Sequence, residues 1–195
     1  DSAAITMLPG GRFEFVNANF SNIADDFRVY GCDGINRAFE FDGTVFVPID
    51  TGASIDTPRH LAAHNNRLAL AILNNVLVSE AGDPYFWDAA TGTAFAFAVE
   101  EDVTALSTQP GTSAGGALAV FSRNAISILY GNDDTDSQMT PFKSGVGAIR
   151  YSVQRVQDTI FLDDRGLSTL KASQNYGNFA DATFSQRIQT WLNTR

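Results

Sequence analysis

A strand–turn–strand unit recurring along the whole chain is the feature that most constrains its fold. Four short strand-like segments begin at residues 37 (RAFEF), 76 (VLVSE), 126 (ISILY) and 167 (LSTLK), so their starts lie 39, 50 and 41 residues apart. Each of the last three follows a partner strand across a tight polar turn. Residues 67–72 (RLALAI) turn near Asn74 and Asn75, 117–121 (ALAVF) turn at Arg123 and Asn124, and 158–162 (DTIFL) turn over 163–166. Asn, Asp and Gly tolerate the positive φ that a tight hairpin demands. The first unit is looser, with 27–30 as the partner strand and 31–36 as its turn.

The expectation is an all-β fold, a β-propeller or partial propeller of about four blade-like units, since blades repeat at this length with variable connections. A β-sandwich, whose strands follow one another at shorter spacing, is the alternative. Long returns such as 82–106 disfavour simple hairpin stacking. Stretches 110–116 and 131–140 read as loops, and residues 1–195 as one propeller-like domain.

Two segments test this reading. Residues 60–78 carry Leu61, Leu68 and Ile72 at near-helical spacing, but the alternation of Leu68, Leu70 and Ile72 between Asn pairs favours strands. At the carboxyl end, Phe184, Ile188, Trp191 and Leu192 form one apolar stripe behind Thr183 and Gln186, which have capping-box spacing. A short terminal helix is expected there.

Composition supports the class and narrows the chemistry. Fifteen Phe and sixteen Gly suit aromatic strands joined by turns. A net charge of −9 opposes a grip on nucleic-acid phosphates; it suits either ordinary solubility or a surface past which DNA slides without sticking. Cys32 is the only cysteine, which excludes an intrachain disulfide and a multi-cysteine zinc site. No apolar run approaches the ~18 residues that span a bilayer, so no membrane partner is expected. The segment Asp1, Ser2, Ala3, Ala4, Ile5 has no initiator Met or basic region and reads as a cut edge, leaving open a fragment of a longer chain.

The constellations that carry chemistry elsewhere are weak here. His60 and His64 have the spacing of two ligands on a helix face, but Leu61 stands where a zinc protease has Glu. Their segment reads as a loop leading into a strand, which makes them structural or surface histidines. Asp133, Asp134 and Asp136 suggest a cation loop but lack the Gly and distal Glu of an EF-hand. No Gly-x-Ser-x-Gly elbow or phosphate-cradling loop is present. Neighbouring acids such as Glu100 and Glu101, or Asp163 and Asp164, point to opposite faces of a strand. Arg123, Arg150, Arg155 and Arg165 lie near hairpins and are expected to satisfy carboxylates such as Asp163. No catalytic residue, cofactor site or metal site is expected, and the chain does not read as an enzyme. Residues 79–87 (SEAGDPYFW) loosely resemble the Asp-box turn of sialidase-type propellers, a structural motif, with the Asp displaced to follow the Gly. Two alternatives stay open: Tyr85, Phe86 and Trp87 as a sugar-stacking surface of a carbohydrate-binding propeller, and a sialidase-type hydrolase.

The wording of the blades resembles the tail-hub or nozzle proteins of short-tailed bacteriophages. The carrying phrases are His64, Asn65, Asn66, Arg67, Leu68; then Ser79, Glu80, Ala81, Gly82, Asp83, Pro84, Tyr85, Phe86; then 103–106, 118–126, Tyr130 and Gly131; and finally 145–153, Phe161 and 164–167. They run in the same order over residues 26–194. The resemblance implies a virion structural protein of the phage tail. Such proteins form a homo-oligomeric ring, commonly a hexamer, contacting portal, adaptor and fibres around the channel through which DNA is ejected. They carry more blades than the four read here.

Overall fold

A computed structural model describes residues 6–109, 116–131, 135–156, 158–172 and 179–183, with side chains up to residue 170. The described residues are all-β, with no helix, and so none long and apolar enough to cross a membrane. They form four four-stranded antiparallel sheets, each a meander in which sequence neighbours pair. The chain divides into two compact units, Asp1–Ala98 and Val99–Arg195, with two sheets each.

In the first unit, one sheet comprises β1 (Glu14–Ala18), β2 (Arg28–Cys32), β3 (Phe39–Phe41) and β4 (Phe46–Pro48). The other comprises β5 (His60–His64), β6 (Arg67–Ile72), β7 (Asn75–Val78) and β8 (Phe95–Ala98). Because side chains alternate along a strand, Val16, Ala18, Tyr30 and Cys32 share one face of the first sheet. That face meets Leu61, Leu68 and Leu70 of the second in a single apolar cluster with Phe20 and Ile49. On the opposite face Gly31 makes room for the Phe15 and Phe39 rings; a Cβ there would collide with Phe39.

In the second unit, one sheet comprises β9 (Val103–Gln109), β10 (Ala117–Ser122), β11 (Ala125–Tyr130) and β12 (Gln138–Ser144). The other comprises β13 (Gln154–Arg155), β14 (Thr159–Asp163), β15 (Gly166–Ala172) and β16 (Phe179–Thr183). Its core packs Phe121 against Phe161, centroids 5.2 Å apart with the rings tilted by 54°, among Ala119, Ile126, Ile128 and Leu170. Burying a ring of that size contributes about 1.5–3 kcal/mol. Pro48 and Pro141 sit on β4 and β12, both edge strands, where a missing N–H breaks no interior ladder.

The second and third strands of each sheet are the hairpins expected from sequence. The pairs β6–β7, β10–β11 and β14–β15 turn through 73–74, 123–124 and 164–165. His60–His64 is a strand and not the expected loop, because pairing with the apolar β6 imposes extension on it. The stretch 131–140 is likewise not all loop: β12 begins at Gln138. The return 82–106 holds β8 and the start of β9. The terminal helix expected over 183–192 lies outside the described residues except for Thr183, which ends a strand. The loop 110–116 lies outside them apart from Gly116.

Candidate functional site

The aromatic turn at 79–87 is built by the backbone before any side chain is placed. Gly82 N donates to Asn66 O at 2.7 Å, Glu80 N to Phe86 O at 3.0 Å, and Tyr85 N to the Asp83 carboxylate at 2.9 Å. Asp83 therefore closes this turn, the structural role expected of it. The three aromatics then part company. Trp87 packs against the first unit's core and donates Nε1–H to Pro84 O at 3.0 Å. The Phe86 ring lies over Gly92. Tyr85, 41% exposed, lines a cavity of about 190 Å³ that neither Phe86 nor Trp87 reaches.

At the floor of that cavity stands Glu40, 3% exposed, on β3. Register puts Tyr30 of β2 opposite it, and the Tyr30 hydroxyl donates to Glu40 Oε2 at 2.8 Å. Arg28 Nη1 donates to Oε1 at 2.5 Å, while its Nε reaches Asp26 at 3.2 Å. Burial, then the neighbouring Glu40 charge and hydrogen bond, push both the Tyr30 and Tyr85 phenols well above their ordinary range. These phenols stay protonated and donate; they are the reverse of an activated tyrosine nucleophile. One arginine lines this cavity, whereas a sialidase-type centre needs three. The sequence reading missed this cluster: a turn at 31–36 would set Tyr30 opposite Arg37, whereas β2 runs on to Cys32 and Tyr30 pairs with Glu40.

The histidines occupy positions i and i+4 of β5, on one face but about 13 Å apart by strand rise, too far to share a metal. His60 is buried with Nδ1 3.0 Å from Glu14 Oε1. Burial lowers the His64 pKa to about 4, so its ring is neutral. Asp133 and Asp134 lie outside the described residues; among those described, no group of His, Cys, Asp or Glu forms a metal cluster.

Three of the four hairpin arginines are engaged. Arg165 grips Asp163 through Nε at 3.0 Å and Nη2 at 2.8 Å, and Arg123 pairs with Asp164. Arg155 donates to Thr108 Oγ1 at 2.9 Å rather than to a carboxylate. Arg150 lines an open cleft of about 550 Å³ at the end of the sheet β9–β12. In that cleft Glu101 accepts both the Asn124 backbone N–H and side-chain amide at 2.9 Å, which hold its carboxyl below the usual range. Gly147 lets the wall close, because a Cβ there would strike the backbone of Ser122 and Arg123.

Comparison with known proteins yields no match to any protein-family model and none to a curated protein.

Proposed function

We propose that this chain is a structural component of a tailed-phage virion, part of the tail hub or nozzle around the DNA exit channel, with its sheets as propeller-type blades. The observation that carries the reading is that the phrases resembling tail-hub proteins interlock as architecture. Arg67, 3% exposed, donates to Ser79 O at 2.8 Å and Thr93 O at 2.7 Å and lies over the Phe95 ring. Ser79 Oγ accepts from Leu68 N at 3.0 Å, and Gly82 is tied to Asn66. One knot thus holds the sheet β5–β8 to its connections. The propeller reading is supported within each unit by the meeting of first strands, as blades do around an axis. Glu14 of β1 contacts His60 of β5, and Arg155 of β13 contacts Thr108 of β9. The net charge of −9 suits a lining that does not retain DNA. On this reading the partners are further copies of the chain and neighbouring tail proteins.

Immunogold labelling of purified virions with antibodies to the chain tests this. Label at the tail supports it, and label absent from every particle fraction overturns it. Tyr85 favours one second reading, a carbohydrate-binding module, because its exposed ring borders a cavity. Glycan-array binding abolished by Tyr85→Ala would favour that module; an array without signal would remove it.

A further inference from the structure

The sheet β1–β4 has one face packed on β5–β8 and the other open. One row across the open face pairs Phe15, Gly31, Phe39 and Pro48, and the next pairs Asn17, Val29, Phe41 and Phe46. An antiparallel sheet with one wet face ordinarily puts polar side chains there. Here the two rows hold no charged residue, and their one polar side chain is Asn17. Phe15 is 61% exposed and Phe41 37%, on a chain whose net charge is −9.

The rings are also fixed against one another. Phe13, just ahead of β1, stacks on Phe15 with centroids 5.7 Å apart and planes 5° from parallel. Both meet Phe39 edge-on, at 6.3 and 6.2 Å, and Phe39 stacks on Phe46 at 4.2 Å. Rings already held by their neighbours have little rotamer freedom left to lose, so covering them costs little entropy. Of the exposed aromatic side chains among the described residues, Phe13, Phe15, Phe27 and Phe41 lie on this sheet or leading into its strands; Tyr85 alone lies elsewhere.

We infer that this face pairs with the same face of a second copy of the chain across a two-fold axis. The occupant's surface must be uncharged, because an acid or base pressed onto the rings would lose its water and gain no counter-charge. The chain is acidic overall, so two copies meet with least repulsion through a face free of carboxylates. Asn17 fits that symmetry, since its amide offers both a donor and an acceptor to its counterpart. The exposed rings with Val29 and Pro48 amount to roughly 500 Å² per copy, taking ~150–250 Å² for a whole aromatic side chain. About 1,000 Å² in all stands at the lower edge of specific interfaces, which makes the pair a reversible one. Such a pair forms whether or not the chain belongs to a tail hub.

Sedimentation velocity of the full chain, from ~1 to ~500 µM, tests it. The weight-average mass should rise from 21.0 kDa towards twice that, with a Kd on the order of 10–100 µM. Added salt should strengthen the pair, because it screens the repulsion between acidic copies. Phe15→Lys sets two cations face to face at an exposed position, and should weaken pairing at least about tenfold while the unfolding midpoint holds. Val156→Ser, exposed in the second unit, should leave pairing unchanged. In proton–nitrogen NMR of the unaltered chain on dilution, the amides of Phe15, Val29 and Phe41 should move and that of Val156 should not. A chain monomeric over the whole range, or amide movement confined to other residues, would overturn the proposal. Rings that persist in a folded Phe15→Lys variant would also overturn it, and would leave the tail-hub reading standing.

Discussion

The two compact units spend their buried polar groups differently. In Asp1–Ala98 the interior holds Asp33, Glu40, Asp56, His60, His64 and Arg67, of which Asp33, Asp56 and Arg67 hold connecting segments in place. Burial alone raises the Asp33 carboxyl, but the hydrogen bonds from Asn36 and Ile35 outweigh it and hold the pKa below the usual range. In Val99–Arg195, Asp163 is the single buried charged residue among those described, and a tilted aromatic pair sits in the core. Desolvating a charge costs several kcal/mol unless its partners are well placed. Both units have an apolar core; the first adds buried ionisable groups at its turns, whereas the second buries chiefly neutral groups such as the hydrogen-bonded Ser107, Gln109 and Thr159.

The contrast breaks most sharply at Phe121. Phe121→Ala removes a fully buried ring and is expected to cost about 3–5 kcal/mol. Denaturant unfolding with amide exchange reads it, and protection should fall more in β10, β11 and β14 than in β6 and β7. Equal loss in both units would contradict the apolar account of the second.

Arg67→Met keeps the stem but strips donors from the Ser79 and Thr93 carbonyls, for about 2–4 kcal/mol. A midpoint shift worth less than ~1 kcal/mol would remove the polar knot from the account, since surface-type pairs contribute that little.

Acid sharpens the same comparison. His64 titrates near 4 when folded because it is buried, and near 6.5 when unfolded. Below the unfolded value the unfolded chain takes up a proton that the folded chain refuses. Stability from His64 is therefore intact above about pH 6.5 and lost as the pH falls towards 4, up to about 3 kcal/mol. His64→Gln should flatten that slope in unfolding midpoints measured across the window. An unchanged slope would contradict the assignment.

The smallest effect is expected at Leu73, 46% exposed at φ 54° in the β6–β7 turn. Leu73→Gly relieves the left-handed strain and should stabilise by about 0.5–1 kcal/mol. Thermal melting reads it, and a lower melting temperature counts against the strain.

These residues also mark what the sequence can express. The inner hairpins are legible because apolar alternation is broken by short polar turns, as at 67–78 and 158–171, although the left-handed position in the first of these is taken by Leu73 and not by an Asn. The outer strands are not. His60–His64 is rich in Ala and His, and Gln154–Arg155 is two residues long; both extend because a neighbour offers a ladder. Arg67, Ser79 and Gly82 could be noticed as phrases, but their interlocking appears only in three dimensions. The Glu40 cluster was not legible, because the hairpin register differs by three residues from the one a turn at 31–36 implies, and Tyr85 arrives from a distant turn. Arg150 looked like its fellow arginines, because no local pattern says that its guanidinium lacks a carboxylate.

Electron microscopy of the purified full chain tests the central claim most directly, that the repeated sheets are parts of an assembled channel. The account predicts ring-shaped oligomers with an open centre, commonly sixfold. A uniform population of monomers at micromolar concentration would contradict it.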